Sequence, residues 1–251
     1  MAEYQELTKR YFGETLTRDF REGKLHSQYK RDTVWFDRCH QALLGIEYDY
    51  IQALIRDIAQ RRIPGSFAEF GIYQGAWINR LYEMTDRAGL SDVEVWGFDS
   101  FQGLSTPHPD FDTSFWKEGM YAAAKSQVEA IVRAYERPRI KLVEGFFSDS
   151  LIVAPATTLG EVAFARIDCD IYEPAKQCLD FLSNRLSHGA ILVFDDWAHD
   201  FERGEDRAFA EWVDTVPRLS FKFMFLGPWD HLHLRVLHND RNLNEFDDPI
   251  A

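Results

Sequence analysis

Alternation of short apolar runs with helical segments is the feature that most restricts the fold of this chain. Strand-like runs occupy residues 66–71, 93–100, 139–146, 161–168 and 189–196, and helical patterns occupy 36–60, 76–89, 121–136, 173–186 and about 204–215. Such alternation predicts a parallel sheet covered by helices on both faces. Two further extended runs within 220–237, joined by a Gly-Pro-Trp-Asp turn, predict a hairpin. The predicted fold is therefore α/β, a doubly wound and mostly parallel sheet with an antiparallel C-terminal hairpin.

The length of the chain favours one large domain over two small ones. With 251 residues and 45% hydrophobic content, the chain can bury a sizeable core. We assign residues 61–240 to this domain, 241–251 to a C-terminal tail, and 1–60 to an N-terminal helical segment. Because the first 35 residues supply no strand, we expect them to form helices that act as a lid or a subunit interface.

Charge and cysteine content exclude several classes of partner. The formal net charge is −13, and no run of Lys and Arg is long enough to follow a phosphate backbone, so nucleic acid is not expected as a partner. Three cysteines without CxxC spacing indicate neither a disulfide framework nor a thiolate zinc site. No signal-peptide core and no stretch of about 20 apolar residues is present, so we expect a soluble, cytoplasmic protein without a membrane partner.

Carboxylates stand at the ends of two strand-like runs. Asp168 and Asp170 follow the fourth run, and Asp195 and Asp196 end the fifth. In a doubly wound sheet, ligands bind beyond the carboxyl ends of the strands. Three carboxylates about one point repel each other unless a cation lies between them, and an all-oxygen set suits Mg²⁺. The alternative is structural, since aspartate is also common at helix caps and at the start of loops.

The turn after the first strand-like run predicts a cofactor site. Its sequence places Glu69 before a Gly71-x-x-x-Gly75 turn, and Asp99 ends the second run, where such folds use an acid to bind ribose. The turn lacks the Lys and Ser/Thr of a phosphate loop and the third glycine of a dinucleotide motif. A plain strand-to-helix turn is the alternative.

An adenine site is predicted after the third strand-like run. Phe146 and Phe147 are placed to flank a flat base, and Ser148 or Asp149 to meet its edge. Because acids rather than lysines surround this region, a cationic adenosine compound fits better than a polyphosphate. S-adenosylmethionine has that character.

Five stretches of the sequence resemble the macrocin O-methyltransferase (TylF/MycF) family, S-adenosylmethionine- and magnesium-dependent enzymes that methylate sugar hydroxyls of antibiotics. They are "IPGSFAEFGIYQGAW", "GFDSFQGLS", "EGFFSDSL", "IDCDIYEPAKQCLDFL" and "HGAILVFDDW", which together span about residues 60–200. The sequence departs from the family pattern at Ala76 and Ala175, where the family usually has Gly and Thr, and at Val34, where it usually has Met.

The resemblance implies a class I methyltransferase, Rossmann-like fold and a set of site residues. It implies cofactor contacts around the methionine part, the ribose and the adenine, and a metal site, from Glu69, Gly71, Tyr73, Gly75, Asp99, Ser148, Asp149, Asp168, Asp195 and Asp196. The last three are the implied metal ligands. Asp170 is the candidate general base, and Asp168 is the second candidate.

The predicted activity is O-methylation of a hydroxylated small molecule, a deoxysugar or glycoside of natural-product (antibiotic) biosynthesis, by a homodimeric enzyme. A metal-dependent hydrolase or sugar-modifying enzyme that does not use S-adenosylmethionine is one alternative, and a catalytically silent binding protein is another.

Several further residues are weaker candidates. His108 and His199 are expected at the surface more often than in catalysis, and His231 and His233 are expected on a solvated strand face, with metal binding as the alternative. Tyr172 and Trp197 are candidates for the acceptor pocket or for packing under a loop.

Overall fold

A computed structural model describes residues 33–197, 202–227 and 231–247 of the chain, with side chains described from residue 45 onward. The predicted lid therefore lies almost entirely outside the described residues, as do His199 and the tip of the hairpin. The chain divides into two compact units, Met1–Tyr48 and Asp49–Ala251. The sheet belongs to the second unit. Within the described residues, no helix has both the length and the apolar character required to span a membrane.

The order of elements follows the predicted alternation. The helices are α1 (Thr33–Arg61), α2 (Ala76–Arg87), α3 (Lys125–Ile131), α4 (Phe147–Ser150), α5 (Tyr172–Leu182) and α6 (Gly204–Val213), with 3-10 turns at Ala156–Thr158 and Leu243–Phe246. The strands are β1 (Ser66–Phe70), β2 (Val95–Asp99), β3 (Ile140–Glu144), β4 (Val162–Ile167), β5 (Leu186–Phe194), β6 (Leu219–Leu226) and β7 (Leu232–His238).

The strands form one seven-stranded sheet in the order β3-β2-β1-β4-β5-β7-β6. The pairs among β1 to β5 are parallel, and β7 pairs antiparallel with both β5 and β6. The chain order reverses between β1 and β4, which is the switch point where ligands bind in such sheets. The predicted doubly wound sheet with a C-terminal hairpin is thus confirmed.

The core lies where the central strands are covered on both faces. Every residue of β2 and of β4 is buried, as expected for parallel strands between two layers of helices. Phe70 and Phe98, on neighbouring strands, stack with ring centroids 4.7 Å apart. On the same sheet face, α5 buries Cys178, Leu179 and Leu182. Burial of each large apolar side chain stabilises the fold by about 1.5–3 kcal/mol, which fixes the strand ends that form the site.

Two predicted helices differ from the structure. The helix predicted over 121–136 is reduced to α3, because Tyr121 and Arg133 adopt left-handed backbone conformations with φ of 59° and 53°. Such conformations interrupt a right-handed helix. The helix predicted over 173–186 ends at Leu182, and β5 begins at Leu186, where that residue pairs with Val162 of β4.

Gly71 directly follows β1 and packs against the backbone of Asp168, which directly follows β4. Its amide donates to the carbonyl of Phe98, and the amide of Asp168 donates to the carbonyl of Phe70 at 2.9 Å. A Cβ atom at Gly71 would lie 1.7 Å from the carbonyl oxygen of Asp168, and its φ of +85° also disfavours a side chain. Only glycine fits this junction.

Gly71→Ala tests this close approach, with Gly89→Ala as the matched control. Gly89 has a similar φ of +76°, but a Cβ there would meet nothing within 4 Å. We expect the control to lose about 1 kcal/mol of unfolding free energy from its backbone conformation. Gly71→Ala should lose roughly 3 kcal/mol, since overpacking adds to that cost. Urea unfolding measures both, and equal losses would show that the close approach is wrong.

Candidate active site

A cavity of about 690 Å³ opens at the carboxyl ends of the parallel strands. It is lined by Gly71, Tyr73, Asp99, Ser100, Gly103, Leu104, Ser105, Thr106, Phe115, Trp116, Glu118, Tyr121, Phe146, Phe147, Ser148, Asp168, Cys169, Asp170, Pro174, Gln177, Asp195 and Asp196. The lining comes from the segments that follow β1, β2, β3, β4 and β5. The cavity therefore occupies the position that the sheet topology favours for a ligand.

Three of the aspartates at the strand ends converge in this cavity. Asp168, Asp195 and Asp196 each offer a carboxylate oxygen, and these oxygens lie within 4.8 Å of one another. The amide of Asp195 donates to the carbonyl of Ile167 at 3.0 Å, so the pairing of β4 with β5 continues up to the cluster. The structure thus brings together the three residues predicted as metal ligands, and their role as ligands stays a prediction.

Sequence reasoning missed a buried arginine beside this cluster. Arg166 is 4% exposed, and its guanidinium lies 2.8 Å from Glu69 Oε1 while also bonding to Asp168 and Asp195. Its charged group lies over the ring of Trp77, 4.8 Å from the centroid. A sequence signal existed, because Arg166 interrupts the apolar run "EVAFARID" at a position that shares a strand face with Asp168.

Burial and charge shift the pKa values of these carboxyl groups in opposite directions. Burial raises the pKa of Asp168 to about 8, with Asp195 and Asp196 adding to the effect and Arg166 opposing it. For Asp195, burial is outweighed by Arg166 and His231, and the pKa is lowered. The cluster therefore combines a carboxyl group that holds its proton more tightly with one that Arg166 and His231 keep ionised.

Asp170 lies beside the cluster in a left-handed backbone conformation, with φ of +63°. The residue is part of the cavity lining. Burial raises its pKa to about 10, and the charges of Asp168 and Asp196 contribute to the rise. A carboxyl group held at a strained backbone position in a cavity is a candidate for proton transfer.

Glu205, in the first turn of α6, was also missed. It is 1% exposed, and its two oxygens accept from the amide of Cys169 at 2.8 Å and from that of Asp196 at 3.3 Å. Both amides belong to the loops that follow β4 and β5. Glu205 therefore ties together the two segments that carry the aspartates, and no local sequence pattern indicated this contact.

The expectation that His231 and His233 lie on a solvated strand face is wrong. His231 is 8% exposed and His233 is fully buried. The reason is that other side chains cover this face: the rings of Tyr50, in α1, and Phe225, in β6, lie 5.8 and 5.6 Å from the ring of His233. The Nε2 atom of His231 lies 3.1 Å from Asp195 Oδ1, so this strand contributes to the carboxylate cluster.

Four of the predicted cofactor residues, Gly71, Tyr73, Asp99 and Ser148, line the cavity. Asp99 Oδ2 accepts from the amides of Ile72 and Tyr73 at 2.9 and 3.0 Å, and Oδ1 accepts from Phe101 at 2.6 Å. Asp99 therefore fixes the glycine turn of β1 against the end of β2. Oδ2 already accepts two bonds, whereas Oδ1 accepts one and retains a lone pair for a ligand hydroxyl.

The other predicted cofactor residues lie outside the set of described residues that line the cavity. Glu69 is 1% exposed, and its carboxylate contacts Arg166; burial raises its pKa to about 8. Gly75 begins α2 with φ of +79°, and Asp149 lies in α4. Their contribution to cofactor binding stays a prediction.

An aromatic wall, formed by Tyr73, Trp116 and Tyr121, faces the same cavity. The rings of Tyr73 and Tyr121 meet edge to face at 5.6 Å, and that of Trp116 lies 6.3 Å from Tyr121. Trp116 was missed because it lies in a long segment after β2 without a periodic pattern, and Tyr121 was missed because the sequence assigned it to a helix over 121–136. The left-handed backbone of Tyr121 is part of the reason that it lines the cavity instead of continuing a helix.

The remaining aromatic candidates have packing contacts. His108 stacks on Phe111 with ring centroids 4.1 Å apart, and Tyr172 donates its hydroxyl to Glu211 at 2.6 Å. Trp197 packs against Phe194 and Phe209. None of the three candidates is among the described residues that line the cavity.

Solved structures with a similar fold include two methyltransferases. The O-methyltransferase NovP superposes with a TM-score of 0.64 at 21% identity, covering 75% of this chain and 78% of that one. CalS11, a calicheamicin methyltransferase, superposes with a TM-score of 0.60 at 23% identity, covering 78% and 79%. At these identities the likeness establishes the fold.

Relatives by sequence act in natural-product methylation according to their names. One is 8-demethyl-8-(2,3-dimethoxy-alpha-L-rhamnosyl)-tetracenomycin-C 4'-O-methyltransferase of Streptomyces olivaceus, 28% identical over 160 residues, or 61% of this chain and 60% of that protein. Another is demethyldecarbamoylnovobiocin O-methyltransferase of Streptomyces niveus, 26% identical over 172 residues, or 65% and 64%. The chain therefore matches less than two thirds of the length of these curated relatives.

The sequence pattern of one family extends over most of the chain. The macrocin O-methyltransferase (TylF) family model matches residues 7–210, which include β1 to β5 and every residue of the carboxylate cluster. This chain belongs to the macrocin O-methyltransferase family.

Proposed function

We propose that this protein is an S-adenosylmethionine- and Mg²⁺-dependent O-methyltransferase that methylates a sugar hydroxyl of a natural product. One observation carries the proposal: the converging carboxylates of Asp168, Asp195 and Asp196 open into the same cavity as the glycine turn and Asp99. A metal site and a nucleoside site that share one cavity suit transfer of a group to a metal-bound acceptor. A metal site by itself would not need a nucleoside site in the same cavity, and a nucleoside site by itself would not need a metal site there.

The carboxylate cluster fits a magnesium ion. It offers three oxygen ligands within 4.8 Å of one another, and Mg²⁺ takes six oxygen ligands at about 2.0–2.1 Å. Opposite ligands of such an ion lie about 4 Å apart, which the cluster can span. Asp168, Asp195 and Asp196 would hold the ion. Because Mg²⁺ retains several exchangeable positions, acceptor hydroxyls can complete its coordination.

The charge of the cavity fits S-adenosylmethionine better than a polyphosphate. Its described lining contains five aspartates and one glutamate, and neither lysine nor arginine. A positive sulfonium is stabilised by such a surface, whereas phosphate groups are repelled. Phe146, Phe147 and Ser148, for which the sequence predicts contact with adenine, are part of the same lining.

In the proposed reaction most of the site residues bind a ligand, and one residue, Asp170, accepts a proton. When bound, S-adenosylmethionine supplies an electrophilic methyl group, and Mg²⁺ supplies a Lewis acid that makes an acceptor hydroxyl more acidic. Asp170 is placed to accept the hydroxyl proton, since it lines the cavity next to the cluster. The charges of Asp168 and Asp196 help to keep its pKa high, so a neighbouring cation would lower that pKa towards the working range.

A sugar is the acceptor class that the cavity and the relatives support. The relative from Streptomyces olivaceus is named for a rhamnosyl substrate. In this protein the wall of Tyr73, Trp116 and Tyr121 provides ring surfaces on which the apolar face of a sugar can pack. Homodimer formation, a cytoplasmic location and the N-terminal lid stay predictions from the sequence.

Removal of the metal ligands tests the proposal. Purified protein should bind S-adenosylmethionine by calorimetry and methylate a panel of rhamnosides in a Mg²⁺-dependent, chelator-sensitive manner, followed by mass spectrometry. Asp195→Asn with Asp196→Asn should lower turnover by roughly a thousandfold, the loss of several kcal/mol of Lewis-acid stabilisation. Asp180→Asn, at a surface aspartate that pairs with Lys176, is the control and should keep full activity.

Two outcomes would contradict this proposal. Saturating S-adenosylmethionine that produces neither heat nor a thermal shift would exclude the cofactor. Methylation that persists undiminished in chelator would exclude the metal.

Asp170→Asn tests the proton acceptor. The substitution preserves the size of the side chain but removes its basicity, so kcat should fall by about 100- to 10,000-fold. Calorimetry should show that Mg²⁺ and S-adenosylmethionine still bind, because Asp170 is not among the proposed ligands. An unchanged kcat would reassign the role to Asp168, the second candidate.

The raised pKa of Asp168 predicts a pH dependence of metal binding. In the metal-free protein this pKa is raised to about 8, and the proton must leave before the carboxylate can bind Mg²⁺. Affinity should therefore rise about tenfold per pH unit up to about pH 8 and level off above it. Calorimetric titration with MgCl₂ between about pH 6 and about pH 9 measures this. Affinity that is flat across the range, or that rises towards acid, would contradict the assignment.

A further inference from the structure

Arg166 engages one specific oxygen of each of two proposed metal ligands. Its Nη1 atom bonds to Asp168 Oδ2 and lies 2.8 Å from Glu69 Oε1, while its Nη2 atom bonds to Asp195 Oδ1. The Nε2 atom of His231 lies 3.1 Å from the same Asp195 oxygen. The oxygens that these contacts leave for other partners are therefore Oδ1 of Asp168 and Oδ2 of Asp195.

The guanidinium is held in this position from several sides. Glu69 and Arg166 are direct cross-strand partners in the pairing of β1 with β4, and both are buried. The ring of Trp77 lies against the guanidinium, 4.8 Å from its carbon. A planar fork with fixed donor directions can bridge several carboxylates at once, which the point charge of lysine cannot do.

We propose that Arg166 is a positioning residue that limits Asp168 and Asp195 to one free oxygen each, and thereby makes the cluster select Mg²⁺ over Ca²⁺. This inference rests on the proposed metal site. Mg²⁺ requires six ligands in compact octahedral geometry, which single carboxylate oxygens provide. Ca²⁺ takes six to eight ligands at longer distances and readily uses both oxygens of a carboxylate. A carboxylate with one oxygen held by arginine favours the first kind of ligation, because a cation at that oxygen would lie next to the positive guanidinium and compete with it.

Arg166→Met and Arg166→Lys test the proposal by their effect on metal preference. The full-length protein is titrated with MgCl₂ alone and with CaCl₂ alone by calorimetry, and the ratio of the two dissociation constants is compared with that of the wild type. Both ions carry the same charge, so removal of a positive charge beside the site affects both affinities alike. The ratio therefore isolates the effect of geometry from that of charge.

We expect the wild type to prefer Mg²⁺, and Arg166→Met to shift the ratio towards Ca²⁺ by about tenfold or more, the size of effect typical of residues that orient metal ligands. Arg166→Lys should shift it in the same direction, because lysine retains the charge and loses the fork. A ratio that stays within about twofold of the wild type in Arg166→Met would overturn the proposal. So would a wild-type ratio in Arg166→Lys, since the forked geometry of the guanidinium would then not be needed for the preference.

Loss of Arg166 leaves Glu69 buried without its partner, so a variant that balances this charge is included. Arg166→Met combined with Glu69→Gln removes both members of the cross-strand pair and should show the same shift in a protein that folds. Arg235→Met is the matched control, because Arg235 is equally buried but pairs with Asp57 at 2.7 Å. The control should lose thermal stability and keep the wild-type ratio; a shift there would attribute the effect to general loosening and overturn the proposal.

Failure of this inference is distinguishable from failure of the proposed function. If the wild type binds neither ion, the metal site itself is wrong, and the inference falls with it. If the wild type binds Mg²⁺ and the ratio does not respond to Arg166, only the inference is wrong.

Discussion

Parallel pairing of β4 with both β1 and β5 is the constraint on which the site depends. Glu69 and Arg166 face each other across the first pair, and the second pair continues to the amide of Asp195. Carboxyl ends of parallel strands share one edge, so acidic residues that are far apart in sequence become neighbours. Buried carboxylates are tolerated only when positive charges are paired with them. Arg166 is the one charged residue of β4, and it pairs with them from within the sheet.

The parts of the site that follow from local pattern were predictable, and those that follow from tertiary neighbours were not. Asp168 and Asp195 could be found from the sequence because each stands at the end of an apolar run. Alternation of strands and helices predicts a parallel sheet, in which the carboxyl ends of the strands lie at one edge. Arg166 and Glu69 are 97 residues apart, so their contact depends on the register of β1 against β4. Glu205 likewise reaches the strand ends only because α6 packs beside them.

For the C-terminal hairpin, the secondary structure was predicted correctly but the burial of its histidines was not. The sequence predicts two antiparallel strands over 220–237, and the structure has β6 and β7 there. His231 and His233 are nevertheless buried, and the rings of Tyr50 and Phe225 cover His233. Periodicity of two identifies residues that share a face, but whether another element covers that face depends on tertiary packing, which no local pattern encodes.

The glycine turn and the carboxylate cluster are joined by close backbone contacts as well as by the side chains of Glu69 and Arg166. Gly71 fits against the carbonyl of Asp168 only because it has no Cβ, and the amide of Asp168 bonds to the carbonyl of Phe70. On the other side, Asp99 binds the amides of Ile72 and Tyr73, which ties the same turn to β2. Backbone contacts of this kind allow little relative movement. In the proposed function the turn holds the methyl donor and the cluster holds the acceptor. In-line transfer depends on the distance and angle between the two, so a rigid connection between the proposed sites would lower its barrier before either ligand arrives.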